Sequence, residues 1–267
     1  MKTTTTTSSD TPKSSFLHFV NTVFTGRGIP GYGGDEWFAG RIEIFKKYCV
    51  PSLQKQTNQD FIHWICFRPE EKDNPLTIKL GEYLDSIKYK YIFTFHGQPF
   101  RDDKKSDLSL RERLKCSLDD VSKLIKGKDY VLFSVIDSDD MYRKDYIELV
   151  QKEPYEYKKA LIAVQGFILN DDTGELADWN HPSCPPYYTI FFPIEVFKDP
   201  DKHLAYYYPF VSHEDILIVF KCKQLPDYMY CCTTHSGNIS TAWYNSCRGT
   251  EYFYDNEKQF ILKNFGQ

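Results

Sequence analysis

Residues 130–136, Tyr-Val-Leu-Phe-Ser-Val-Ile, carry the most continuous buried-strand signal in the chain, and Asp137-Ser138-Asp139-Asp140 follows them directly. A strand without polar alternation is covered on both faces, as in a parallel sheet flanked by helices. The four polar residues after it then lie at the carboxyl edge of that sheet, where open α/β sheets bind their ligands.

The rest of the chain agrees with this frame. Short β-rich runs at residues 16–24, 61–67 and 91–95 alternate with helical patterns at 37–56, 75–88 and 111–126. In the first pattern Phe38, Ile42, Phe45 and Cys49 share one helical face, and in the last Leu114, Leu118, Val121 and Ile125 do so, with Gly127 as the C-cap. Strands alternating with helices, without a repeat, predict an α/β fold with a mainly parallel central sheet covered by helices on both faces. Two further β-like runs, 161–169 and 187–194, surround a polar, Pro-rich loop at 170–186 and read as continuation of the sheet, with no second independent domain. Residues 1–15 read as a disordered polar tail and 16–267 as one domain.

Composition removes several alternatives. The 267 residues carry 33 Lys and Arg against 37 Asp and Glu, so the basic surplus of a nucleic-acid binder is missing. Aromatic residues make up 16%, including 20 Tyr and 20 Phe, which points to a ring-rich globular core. The 8 Cys show no C-x-x-C pair and read as reduced thiols. No apolar stretch reaches the ~18–20 residues of a membrane span and the N-terminus has no signal-type core, so the expected location is cytoplasmic. The sequon Asn238-Ile239-Ser240 is accordingly expected to be unmodified.

Three acids in four residues repel one another, and a divalent cation would relieve that repulsion. An N-terminal cap for a helix starting near Tyr142 explains one acid, not three. Met141 and Tyr142 stand where an EF-hand loop would need an oxygen ligand and a Gly. A D-x-D phosphohydrolase stays open, although its acids normally follow the first strand.

The approach Lys126-Gly-Lys-Asp-Tyr-Val-Leu-Phe133 into Asp-Ser-Asp-Asp resembles the metal motif of GT-A-type (Rossmann-like) nucleotide-sugar glycosyltransferases. His18-Phe-Val-Asn-Thr-Val-Phe24, Tyr48-Cys-Val-Pro-Ser-Leu53 and His235-Ser-Gly-Asn-Ile-Ser240, in that order, are similar to a rhamnosyltransferase-like branch of that class. His213-Glu214-Asp215 resembles its late acidic motif, with Lys221 where the class often has Arg.

The resemblance implies a transferase that moves a sugar, rhamnose in this branch, from a nucleotide-sugar donor to a glycan or glycoconjugate acceptor. It also implies a Mn²⁺ or Mg²⁺ ion and inversion at the sugar carbon. Residues 16–140 would form the nucleotide-binding half and 141–267 the acceptor-side half. Asp139 is then the first metal ligand, with Asp137 beside it and His235 third, a nitrogen–oxygen set that suits Mn²⁺. Asp215 is the base candidate, with Glu214 and His213 as neighbours. Thr25, Arg27, Arg113, Ser138 and Asp140 are placed on the donor side, and Arg248 and Lys221 would add positive charge. Trp179, Tyr187 and Tyr188 flank the Pro-rich loop and are assigned to acceptor stacking. The competing readings are a non-catalytic sugar-nucleotide or glycan-binding module and a metal-dependent phosphohydrolase.

Overall fold

A computed structural model describes residues 15–25, 34–99, 106–180, 187–207, 213–238, 243 and 251–267. Arg27, Arg248 and residues 181–186 of the Pro-rich loop lie outside the described residues.

The central sheet holds β1 (Phe16–Val23), β2 (Ile62–Cys66), β3 (Tyr91–Thr94), β4 (Tyr130–Val135), β6 (Lys159–Ile162), β9 (Tyr188–Pro193) and β10 (Lys221–Gln224). Their order is β10-β6-β9-β4-β1-β2-β3. All pairings are parallel except the two made by β9, which runs against β4 and β6. Alternation explains the two-sided burial: in β1, Phe19 points into one apolar cluster and Val20 into the other.

One face is covered by α1 (Asp35–Lys47), α2 (Cys49–Gln54), α3 (Pro75–Ser86) and α5 (Tyr146–Lys152). The other is covered by α4 (Leu110–Val121), α6 (Ile194–Phe197), α7 (Pro200–Tyr207) and α8 (Ile216–Val219). The expected mixed α/β fold with helices on both faces is therefore what the chain forms. Its aromatic content is spent on ring contacts, as where Phe24 meets Phe45 and Phe67, each at 5.1 Å between centroids. Such pairs add about 0.5–1.5 kcal/mol beyond their area burial.

Several boundaries differ from the sequence reading. The helix expected over 37–56 breaks at Tyr48, whose backbone (φ −116°, ψ −62°) separates α1 from α2. The run 161–169 is two strands in two sheets: β6 stays in the central sheet, and β7 (Gln165–Asn170) enters a second one. That sheet, ordered β12-β8-β7-β11-β5, adds β5 (Met141–Tyr142), β8 (Leu176–Asn180), β11 (Tyr230–Thr234) and β12 (Tyr252–Phe253). β8 thus occupies part of the expected loop, and Tyr142 lies in a strand, with the helix starting only at Tyr146. The last helix, α9 (Asp255–Lys263), leads to Phe265, which packs with Tyr48 and Met141 in a third cluster.

Gly166 marks how tightly the second sheet is built. A Cβ there would sit 2.6 Å from the Tyr230 ring and from the Tyr230 carbonyl oxygen. Gly166→Ala is expected to destabilise the fold by about 1–3 kcal/mol. A urea-denaturation midpoint equal to wild type would show that the two strands can separate without cost.

Candidate functional site

The edge where β1 and β4 end carries the polar residues. Thr25 follows β1, is buried, and its hydroxyl accepts from the Arg68 N–H at 2.9 Å. Beyond β4, the Ile136 N–H donates to the Asn21 carbonyl and Thr22 Oγ1 donates to the Ile136 carbonyl, so β1 fixes the start of the acidic turn. The turn closes with the Asp140 N–H on the Asp137 carbonyl at 3.2 Å.

The three acids have different surroundings. Asp140 is buried: its carboxyl accepts from Tyr187 Oη at 2.7 Å and from the Thr233 N–H at 2.9 Å. Burial, reinforced by the charges of Asp139 and Asp137, pushes its pKa well above the carboxylate range. Asp140 thereby ties the end of β4 to both β9 and β11. Asp137 is half-buried at the start of the turn.

Asp139 is the centre of the cluster. Arg41, on α1, grips it with both ends of its fork, Nη1 to Oδ2 at 2.8 Å and Nη2 to Oδ1 at 3.1 Å. Asn238 Nδ2 donates to Oδ2 at 3.0 Å, and His235 Nε2 lies 3.3 Å from the same oxygen. The Gly237 N–H donates to His235 Nδ1 at 3.1 Å, so the ring proton sits on Nε2 and points at Asp139. Burial alone would raise the Asp139 pKa, but Arg41 and His235 outweigh it and hold the carboxyl at about 2.

His235 reaches this point because β11 pairs with β5, which directly follows Asp140. Asp139 and His235 therefore lie 3.3 Å apart, and Asp137 stands two residues earlier on the same turn. Among the described residues no group of three or more His, Cys, Asp or Glu side chains is arranged to hold a metal ion. The carboxylate oxygens of Asp139 and Asp137 are suitable donors for Mn²⁺ or Mg²⁺, whereas His235 in this pose turns a protonated nitrogen toward Asp139.

The remaining candidates have varied surroundings, from Ser138 on the turn itself to Lys221 at the far sheet edge. Ser138 is buried and its hydroxyl has no partner, as is also true of Thr233 Oγ1 and Arg41 Nε. Arg113 is 1% exposed, inside the protein rather than on a helix surface, and donates to the carbonyls of Gln98 (3.1 Å) and Leu108 (2.7 Å). Lys221 stands on edge strand β10, paired with Glu156 at 2.6 Å, not with the acidic turn.

His213, Glu214 and Asp215 form a 3₁₀ turn ahead of α8, with the His213 ring 6.1 Å from that of Tyr188. Tyr187 and Tyr188 are 1% and 2% exposed. Tyr187 is stacked on Tyr230 at 3.9 Å and Tyr188 is hydrogen-bonded to Tyr207, so neither offers an open face to a sugar. Trp179, on β8, is half-buried with its ring edge-on to Tyr230.

Two contributors were not foreseen. Arg41 sits three residues after Phe38 and four before Phe45, at the margin of the buried face of α1, and that spacing was the available signal. Asp171, just past β7, accepts from Lys47 and Tyr48. Burial works against its ionisation, but these partners, together with His235, keep its carboxyl below the usual range.

The chain is a mainly parallel α/β sheet covered on both faces, with its polar cluster beyond the carboxyl ends of β1 and β4, the edge at which open sheets of this class bind ligands. Sequence comparison then places the chain among transferases. It belongs to the family described as "Putative rhamnosyl transferase", whose model matches residues 33–245. No curated protein matches the chain.

Among solved structures it is similar to the inositol-1-phosphate CTP transferase from T. maritima, at 11% identity over 84% of this chain and 92% of that one, TM-score 0.38. It is also similar to 4-diphosphocytidyl-2C-methyl-D-erythritol synthase, at 8% identity over 85% and 92%, TM-score 0.36. No described helix is long and apolar enough to cross a membrane.

Proposed function

We propose that the protein transfers a sugar from a nucleotide-sugar donor to a glycan acceptor, with inversion, at the carboxyl edge of β1 and β4. The observation that carries this reading is the convergence of Asp139 and His235 beyond β4 in a chain of this family. Asp139 would hold a divalent cation with Asp137 beside it, and His235 would join them only after its ring proton moves from Nε2 to Nδ1 and the Gly237 contact is given up. When bound, that cation would stabilise the negative charge that builds on the departing diphosphate.

The protein's own residues supply the rest. Asp140 is spent on Tyr187 and Thr233 and holds in place the turn that carries Asp137 and Asp139. Thr25 and Ser138 lie on the donor side. Asp215, with Glu214 and His213 beside it, is the base that would take the proton from the acceptor hydroxyl, a role worth about 10²–10⁴-fold in rate. Trp179 remains the candidate face for the acceptor ring.

The test combines binding and turnover. Nucleoside diphosphates should raise the melting temperature with Mn²⁺ present and much less with EDTA, since a ligand of the native state stabilises in proportion to affinity. Asp215→Asn should keep that binding while losing about 10²-fold or more of sugar transfer. A wild-type protein that binds no nucleoside diphosphate, or an Asp215→Asn variant with full transfer activity, would overturn the reading.

A further inference from the structure

The last two carbonyls before the acidic turn, those of Val135 and Ile136, each receive a side-chain hydroxyl. Thr22 Oγ1 donates to the Ile136 carbonyl at 2.9 Å, and Tyr142 Oη donates to the Val135 carbonyl. Val135 precedes the turn and Tyr142 follows it, so the second bond closes the turn at its base.

Behind each hydroxyl stands a histidine. Thr22 spends its one proton on Ile136, so the His63 ring, 2.8 Å away, donates to it from Nε2. His63 Nδ1 then accepts from Tyr89 Oη at 2.9 Å, and the chain runs one way, from Tyr89 through His63 and Thr22 to Ile136. On the other side the Gln151 amide donates to His18 Nδ1 at 3.2 Å, which again puts the ring proton on Nε2, facing Ser134 Oγ at 2.7 Å. Ser134 then donates to Thr189 Oγ1 at 2.6 Å, and Thr189 to Tyr146 Oη at 3.1 Å. Tyr146 is hydrogen-bonded to Tyr142, on whose ring its own is stacked at 3.7 Å.

Both relays are dry: His18, Thr22, His63, Ser134 and Thr189 are each 0% exposed. Apolar side chains of the same shape would spare the protein the desolvation of these groups, whereas a fully satisfied polar network imposes one arrangement. Two such networks end on consecutive carbonyls, so the rigidity they confer is delivered to one place.

We propose that Thr22 and Tyr142 are positioning residues: with His63 and His18 behind them, they fix the peptide planes of Val135 and Ile136 and so set the direction in which Asp137 and Asp139 leave β4. This rests on the reading of the acidic turn as the site of transfer, and it requires no particular ligand there.

Thr22→Val and Tyr142→Phe each remove one hydroxyl at nearly constant shape. Each should lower kcat for sugar transfer about tenfold, since a misplacement of about 1 Å at reacting groups can cost 10²-fold. Thr22→Ser, which keeps the hydroxyl, should restore kcat. Thr94→Val is the matched control, because it too orphans a buried ring N–H, that of Trp64 at 2.9 Å, but on the opposite face of the sheet. It should lower the melting temperature comparably and leave kcat unchanged. Either relay variant with the kcat of Thr94→Val overturns the proposal.

Two measurements need no turnover. The backbone amide resonances of residues 138–140 should shift in Thr22→Val and return in Thr22→Ser. In wild type, imidazole ¹⁵N spectra at neutral pH should show His18 and His63 protonated at Nε2; a proton on Nδ1 of either reverses its relay and overturns the proposal, even where a variant fails to fold. If the amides shift as expected while wild type transfers no sugar, the reading of the site fails and the relays stand. If wild type transfers sugar and the amides stay in place, only the positioning role fails.

Discussion

Asp139→Asn is expected to reduce sugar transfer by about 10²–10³-fold, the rate equivalent of about 3–4 kcal/mol of charge stabilisation lost at the leaving diphosphate. The substitution keeps the shape of the side chain and one acceptor oxygen for Arg41, so the fork is loosened rather than abolished. It also leaves the buried guanidinium without a counter-charge, and broken buried pairs cost about 3–5 kcal/mol in stability. The two effects separate experimentally. Transfer measured well below the melting transition reports the chemistry, and the melting temperature reports the orphaned Arg41. Transfer within tenfold of wild type in a folded variant would remove Asp139 from the reaction.

Acid should weaken the fold long before its carboxylates are neutralised. His18, His63 and His203 are buried, and desolvation lowers their pKa values from 6.5 to about 3, about 3 and about 4. Their partners are neutral: His18 meets Ser134 Oγ at 2.7 Å and His63 meets Thr22 Oγ1 at 2.8 Å. A depressed histidine pKa means that the unfolded chain takes up protons that the native state refuses. Stability is therefore complete above about pH 6.5 and is lost as the pH falls toward 4.

Each of the three costs about 2 kcal/mol between pH 7 and pH 5. Asp140 works in the opposite sense, because burial favours its protonated form in the native state, and it offsets part of this loss. The three histidines outnumber it, so the net change is a loss of a few kcal/mol, on the scale of a typical stability of about 5–15 kcal/mol. Urea midpoints at pH 7 and pH 5 measure it, and a flat or rising stability between them would show that these histidines are not held neutral.

What could be read from the sequence was whatever a strand or helix declares by its own period. β4 needed no partner to be recognised, because a run buried on both faces has only one place in a sheet, and the acids after it follow from that place. The run 161–169 misled because Ala163 and Val164, where the chain passes from the central sheet to the second one, are as apolar as the strands beside them. β8 was hidden for the opposite reason: Asp178 and Asn180 make a strand look like a loop until β7 and β12 are seen beside it.

The division of labour among the acids could not be read locally at all. Asp139 and Asp140 are neighbours, and they differ only because Arg41 comes 98 residues before one and Tyr187 and Thr233 arrive 47 and 93 residues after the other. Tyr187 and Tyr188 illustrate the same limit. Aromatic residues beside a polar loop suggest open faces, and only tertiary packing shows those rings enclosed.

The two-residue strand β5 has a practical meaning for engineering. It begins immediately after Asp140, and Met141 packs against Tyr48 and Phe265, while the Lys144 N–H is held by the Asn264 carbonyl at 2.8 Å. Residues 261–265, remote in sequence from every acid, are thus part of the foundation beneath the acidic turn. Fusion partners, tags or shortened variants designed around this chain should treat that segment as they would the site itself.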